Sequence, residues 1–283
     1  MTLNNIGTKM NKSDQQTAVL VVSCDNYSDV WSPFFELYSR FWPDCPFNTY
    51  LISNTKEYSV PGVKTLLVGE DVSWSDNLKY ALTLIQEQYV LIWIDDLFLL
   101  QHVDTSLVLE MTNDFIARDG NYLRLNPTIH ADLPCNNYFG RVSAGTIYRT
   151  STVMSLWRKS VLSDLLVSGE SAWDFEINGT IRSDRFDGFY ATKTDSFNVL
   201  NGIIKGKWRN CAYRKICTLC TDFNDNRRAR LSLTEELLLK IMIFRSKLLN
   251  LIPPQYRRKL KSRILGAKHT YKVTTQDGLK HKL

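Results

Sequence analysis

The 283-residue sequence contains no apolar stretch approaching the ~20 residues that a transmembrane helix needs. Its first sixteen residues, Met1 to Gln16, are polar and lack the apolar centre of a secretion signal, so a cytoplasmic protein is expected. Cysteine is sparse, and without a secretion signal Cys24, Cys45, Cys135, Cys211, Cys217 and Cys220 are expected to stay reduced. Cys217 and Cys220 form a C-x-x-C with Cys211 nearby. The next histidine after them, His269, is far outside zinc-ligand spacing, so these thiols are read as buried or idle. His102 and His130 stand alone and read as hydrogen-bonded structural residues. Cys24, next to Asp25, has no histidine near it in sequence, which argues against a cysteine nucleophile. Internal repeats and low-complexity segments are absent. The glycines of Asn201-Gly-Ile-Ile-Lys-Gly-Lys-Trp208 do not make a Walker-type phosphate loop.

What remains is an ordinary globular composition, 44% hydrophobic and 23% charged. The length suits one large domain with an appendage. The net charge of +6 hides a division. Lys205 to Leu283 carries 20 basic and 5 acidic side chains, a net of +15, while the preceding 204 residues carry 15 and 24, a net of −9. An acidic body with a basic tail points the tail toward an anionic surface. A nucleic-acid-binding protein is one alternative, but an acidic body repels phosphate and no nucleic-acid module is recognisable.

The pattern alternates strands with helices. Ala18 to Ser23 is short, apolar and β-branched, as a buried parallel strand should be. A helix is expected over Val30 to Phe41, then strands over Asn48 to Ser53 and Val63 to Val68. Ser75 is expected to cap a helix from Asp76 to about Gln88. Tyr89 to Ile94 is the most apolar strand and stops at Asp95-Asp96. Further on, a helix is expected over Val103 to Ala117 and strands over Asn121 to Leu125, Ala144 to Tyr148 and Val199 to Ile204. Another helix is expected over Ser151 to Leu166. The tail reads as two helices split by Pro253-Pro254, the first opened by the capping box Ser232-x-x-Glu235. Such alternation implies a doubly wound, mainly parallel sheet, whose ligands bind at the carboxyl ends of its strands, where Asp25 and Asp95-Asp96 would lie.

Two clusters carry chemistry. Adjacent carboxylates at the end of a buried strand repel each other and lose hydration unless a cation joins them. A divalent metal bearing a diphosphate supplies that charge. The alternative is that one carboxylate caps the next helix while the other faces water. The second cluster, Ser168-Gly-Glu-Ser-Ala-Trp-Asp-Phe-Glu-Ile-Asn178, sets Glu170, Asp174 and Glu176 around Trp173. A carboxylate there suits a general base, and the tryptophan an apolar platform for a sugar. A helix start with acidic residues on its macrodipole explains the same residues without chemistry.

Together these features resemble the GT-A glycosyltransferase superfamily, and more closely the sugar transferases of bacterial surface-polysaccharide (O-antigen and capsule) gene clusters. The resemblance runs from Val19 to Trp208. It begins with Val19-Leu-Val-Val-Ser-Cys-Asp-Asn-Tyr27 and continues through Phe41-Trp-Pro-Asp-Cys-Pro46 to Tyr50-Leu-Ile-Ser-Asn54. It is strongest in Ser73-Trp-Ser-Asp-Asn-Leu-Lys-Tyr-Ala-Leu82 followed by Tyr89-Val-Leu-Ile-Trp-Ile-Asp-Asp-Leu-Phe98. In the superfamily a donor-contacting helix with an Asn near its start leads into the strand that bears the acidic metal motif. Ser143-Ala-Gly-Thr-Ile-Tyr-Arg149 resembles the acceptor-side strand. Two departures stand out: Asp-Asp replaces the usual Asp-x-Asp, and the acidic loop lacks a Glu-Asp dipeptide.

The resemblance implies a Rossmann-like GT-A α/β fold, its mainly parallel sheet flanked by helices, with a C-terminal helical appendage. It divides the chain into a disordered tail (1–16), a catalytic domain (17–208) and a basic helical extension (209–283). It also implies glycosyl transfer from a nucleotide sugar to a saccharide acceptor, lipid-linked in the family's setting of surface-polysaccharide synthesis. Ser23, Asp25, Tyr27, Asn54, Asp76 and Asn77 would contact the donor. Asp95 and Asp96 would hold Mn2+ or Mg2+, and Trp173 and Tyr148 would meet the acceptor. The base would be Asp174, Glu176 or Glu170. Lys205 or Lys207 is a candidate to reach the diphosphate, with a solvated charge as the alternative. A nucleotidyltransferase is the nearest rival, but Cys24 to Trp31 has neither the glycines nor the basic residues of its phosphate loop. The basic stripe around Tyr256, Leu260 and Ile264 suits an anionic membrane, placing the enzyme peripherally at the inner face of the plasma membrane. Leu237 to Ile252, apolar around much of its circumference, is expected to pack on the body or a partner.

Overall fold

The structure, a computed structural model, describes residues 16–129, 131–221, 223, 227–250, 273–274 and 280–281. The N-terminal tail, His130 and the second tail helix lie outside the described residues.

The chain opens with β1 (Thr17–Val22), α1 (Ser28–Phe41), β2 (Asn48–Ser53), β3 (Val63–Leu67), α2 (Trp74–Thr83) and β4 (Tyr89–Ile94). There follow β5 (Leu97–Leu99), α3 (Thr105–Ala117), β6 (Tyr122–Arg124), β7 (Leu133–Pro134), β8 (Phe139–Arg141), β9 (Ser155–Arg158) and α4 (Lys159–Leu165). One-turn α5 (Ala172–Asp174) and α6 (Thr180–Arg182) flank a π-helical turn, Phe175–Gly179. β10 (Phe189–Thr192), β11 (Val199–Asn201), β12 (Ile203–Ile204), β13 (Lys207–Trp208), α7 (Asn210–Leu219) and α8 (Leu233–Asn250) complete the body. Beyond α8, Val273–Thr274 pairs with Lys280–His281.

The main sheet runs β3-β2-β1-β4-β9-β6-β10-β8-β7. β3, β2, β1 and β4 are parallel, β9 is antiparallel to both its neighbours, and β10 is parallel to β6. This is the expected α/β class. Successive side chains of β1 serve opposite faces: Val19 and Val21 pack with α1 and α3, Leu20 and Val22 with α2 and α4. Burial on both faces explains why β1 and β4 read as unbroken apolar runs. From β1 the order goes outward to β2 and β3, then returns past β1 to β4, so the crevice lies between the carboxyl ends of β1 and β4.

Several elements differ from expectation. The helix after β3 begins at Ser73, whose hydroxyl accepts from Asp76 N at 3.1 Å, and ends at Thr83. Ser75 lies inside it, buried. Ala144 to Tyr148 forms turns, because side chains take its backbone groups: Gly145 N donates to Asp184 and Tyr148 O accepts from Arg124. The helix expected over Ser151 to Leu166 is β9 followed by α4. Pairing with both β4 and β6 overrides the local pattern at Ser155–Arg158. Gly202 divides Val199 to Ile204 into β11, paired with β5, and β12, paired with β13. The residues after Trp208 begin as part of the body: Tyr213, Ile216 and Cys220 pack in the α1-side core with Trp208.

Gly202 donates its N–H to Asp96 O at 2.8 Å, and a Cβ there would meet the Phe98 ring at 2.4 Å and Trp208 at 3.1 Å. Both rings are fully buried. Gly202→Ala should destabilise the chain by about 1–3 kcal/mol through overpacking, read as a lower urea midpoint.

Candidate active site

The acidic pair is the two-residue turn between β4 and β5. Asp95 is 2% exposed, and Ser23, at the end of adjacent β1, donates its hydroxyl to Asp95 Oδ2. Parallel register explains the contact, since Val22 lies opposite Ile94. Trp31 Nε1 donates to Ser23 Oγ at 2.7 Å, so α1 fixes the serine that fixes Asp95. Burial pushes the Asp95 carboxyl well above the usual range, and the neighbouring Asp96 charge adds to this. Burial likewise pushes Asp96 up to about 7, against its own backbone N–H and the attraction of Arg228.

Arg228 was not legible as a site residue in the sequence, where it belonged to the basic tail. Its guanidinium pairs with both oxygens of Asp29, donates to Asn26 O, and stacks 4.1 Å from the Tyr27 ring centroid. Lys56 Nζ also reaches the turn after β1, donating to Asp25 O and Ser28 Oγ. The fold therefore brings two cations to a turn that contains none. They hold carbonyls, a hydroxyl and Asp29, fixing the shape of the turn.

The other donor-side candidates gather at the same edge. Burial opposes ionisation of Asp25, yet hydrogen bonds from Thr55, Ser53 and Lys56 hold its carboxyl well below the usual range. Asn54 accepts from Asp25 N and donates to Gly69 O, tying the ends of β1, β2 and β3 together. Asp76 accepts from Ser73 Oγ and Gly169 N, bonds that lower its pKa and dock the acidic loop on the start of α2. Asn77 donates to Asp71 at 2.7 Å. Lys207 pairs with Glu235 on α8, and Lys205, at φ 50°, occupies the β12–β13 hairpin turn with Gly206.

The three loop carboxylates have different surroundings. Glu170 is buried and binds Arg182 through both oxygens at 2.8 and 2.6 Å, with Asn178 donating as well. Asp174 is exposed and closes a capping box with Ser171. Glu176 receives Ser151 Oγ, Thr152 N and Thr152 Oγ1 on one oxygen, Oε1. Because β9 runs antiparallel to β4, the segment just before it lies at the edge where β4 ends. Trp173 is 75% exposed, and Tyr148, in the left-handed region at φ 53°, is also exposed.

The donor set fits a hard divalent cation. Two adjacent carboxylates are raised by burial, and magnesium-type ions commonly take one or two carboxylates plus substrate phosphates. Among the described residues there is no group of three or more His, Cys, Asp or Glu that could hold an ion unaided.

The α/β sheet thus sets an acidic pair at the crevice end of β4. No family model matches the chain, and no curated protein does. Among solved structures it is similar to S. aureus TarS 1-349 in complex with UDP-GlcNAc, at 12% identity and a TM-score of 0.46, over 65% of this chain and 57% of that one. A putative nucleotide-diphospho-sugar transferase from Desulfovibrio desulfuricans G20 is similar at 11% identity and a TM-score of 0.41, covering 81% and 96%. A197 from STIV is similar at 11% identity and a TM-score of 0.40, covering 77% and 98%. The chain thus spans less than two thirds of the TarS fragment.

Arg182→Ala would strand a buried Glu170 charge and should cost about 3–5 kcal/mol, read by urea unfolding. Asp96 contributes in the other direction. Between the ordinary carboxylate range and about 7, the folded chain keeps a proton that the unfolded chain has released, so stability falls as pH rises through that window. With chelator present, Asp96→Asn should stabilise the chain at pH 8 by up to about 4 kcal/mol, a gain that shrinks toward pH 4.

Proposed function

We propose that this protein is a glycosyltransferase that takes sugar from a nucleotide-sugar donor and passes it to a saccharide acceptor. The observation that carries the reading is the Asp95-Asp96 pair at the β1/β4 crevice, with Asp95 buried and Asp96 half-buried beside it. A site of that kind suits a ligand that arrives with a cation and a diphosphate. Asp95 and Asp96 would hold Mn2+ or Mg2+, which when bound supplies charge neutralisation for the leaving diphosphate. Ser23 and Trp31 orient Asp95 for that task. The nucleotide lies against the ends of β1 and β2, beside Asp25, Tyr27 and Asn54, and the donor sugar beside Asp76 and Asn77.

Glu176 is the best-supported base. It is anchored by Oε1 at the edge where β4 ends, and among the described residues no protein donor takes its Oε2. Glu170 is committed to Arg182, and Asp174 to its own helix start. In an inverting reaction Glu176 removes the acceptor hydroxyl proton as that oxygen attacks the anomeric carbon. Trp173 offers an exposed face to the acceptor, with Tyr148 as a second aromatic surface. An acceptor carried on a lipid, as in surface-polysaccharide synthesis, would set the enzyme at the cytoplasmic face of the membrane.

The test begins with a panel of nucleotide sugars, with and without manganese, scored by thermal protection and then by product. A donor at 100 times its Kd adds about 2.7 kcal/mol of stability. Release of nucleoside diphosphate is the expected outcome, whereas release of pyrophosphate from a nucleoside triphosphate and sugar phosphate would mean nucleotidyl transfer. Asp95→Ala and Asp96→Ala should each abolish turnover while the chain stays folded. Glu176→Gln should lower kcat by ~10²–10⁴-fold with donor Kd unchanged. A loss of that size in Asp174→Asn instead would move the base there.

A further inference from the structure

Of the two expectations for α8, a body or a partner to pack on, the body leaves its apolar side chains uncovered. The helix is tied to the body through its first turn, where Glu235 pairs with Lys207 at 2.7 Å and Glu236 accepts from Asn210 N at 2.8 Å. Its start carries the expected capping box, with Glu235 N on Ser232 Oγ and Ser232 N on Glu235. Along the helix, large apolar side chains stand in solvent, between 42% and 87% exposed from Leu233 to Leu248. At about 100° per residue, Leu233, Phe244, Leu237, Leu248 and Ile241 fall within an arc of about 80°. Leu238 and Met242 extend the exposed apolar residues to about 180°, an arc whose positions also include Thr234 and Arg245.

A surface of this kind requires an occupant. The charge distribution along the chain identifies which. Directly after α8, residues 251–283 carry nine basic side chains and one acidic, and α8 itself adds Lys240, Arg245 and Lys247. The 204 residues that form most of the body carry a net of −9. An apolar arc next to a strongly cationic segment complements an anionic bilayer surface, where the arc enters the acyl boundary and the cations meet headgroup phosphates. The acidic body is repelled from the same surface, so the two ends of the molecule orient it. No described helix is long and apolar enough to cross a membrane, so α8 would lie in the interface.

We propose that α8 is an interfacial membrane-docking helix that binds anionic phospholipid surfaces through the Leu233–Phe244–Leu237–Leu248–Ile241 arc. The proposal does not depend on the glycosyl-transfer reading. The full-length chain should co-float with vesicles containing phosphatidylglycerol and not with pure phosphatidylcholine, and high salt should weaken the binding. Leu237→Ser, Ile241→Ser and Phe244→Ser together should lower partitioning about tenfold or more, since each removes exposed apolar area without touching the core. Hydrogen exchange on the unmodified chain gives a readout free of mutation: α8 amides should slow when phosphatidylglycerol vesicles are added. Absence of flotation at low salt, equal flotation of the triple variant, or unchanged α8 exchange would overturn the proposal. So would light scattering that finds a stable dimer which the triple variant dissolves, because the arc would then belong to a second copy of the chain.

Discussion

The structure turns on a pair of carboxylates placed where carboxylates are costly. β4 is buried on both faces, and the chain leaves it through Asp95 and Asp96 without an intervening turn residue. Their charge loses hydration, which raises both carboxyls, and the Asp96 charge raises Asp95 further. The surroundings fall into place around that constraint. Ser23 meets Asp95 because parallel register sets β1 beside β4, and Trp31 holds Ser23 because α1 returns across that face. Gly202 closes on the Asp96 carbonyl and can be nothing larger without moving Phe98.

The positive charge near the pair comes from far along the chain. Arg228 belongs to a segment that returns through α7 to the turn after β1, crossing 199 positions to pair with Asp29. The residues following Trp208 are thus partly structural to the crevice, and the Trp208–Tyr213–Phe223 aromatic cluster binds them to it. The basic character of this stretch has two physical uses. Arg228 is nearly buried and fixes the shape of the crevice turn, whereas the cations after α8 follow an apolar surface that the body leaves uncovered.

The acidic loop illustrates how one sequence cluster divides into separate tasks. Glu170, Asp174 and Glu176 are equivalent candidates by composition. Burial next to Arg182 makes the first an ion-pair anchor, and the reach of Ser171 makes the second a cap. The third is aimed at the crevice edge by Ser151 and Thr152, which reach it only because β9 inserts antiparallel between β4 and β6.

The sequence by itself determined the order and type of the strands and helices up to β4, because those segments are strongly patterned and bounded by clear turn residues, although the cap and ends of α2 fell elsewhere. It also marked the acidic pair at the end of β4, since two adjacent charges ending an apolar run stand out against the strand they close. Tertiary structure decided the rest. Ser155–Arg158 carries a helical pattern, but a vacant position between two strands outweighs local preference. Phe139–Arg141 and Phe189–Thr192 are too short to stand out from the loops around them, and only pairing with each other and with β7 and β6 makes them strands. The role of Arg228 depends on a contact with Asp29 distant in sequence, and the exposure of α8 on what the body leaves uncovered. Hydrophobic period tells which face of an element is apolar; only the packed chain decides whether that face is covered.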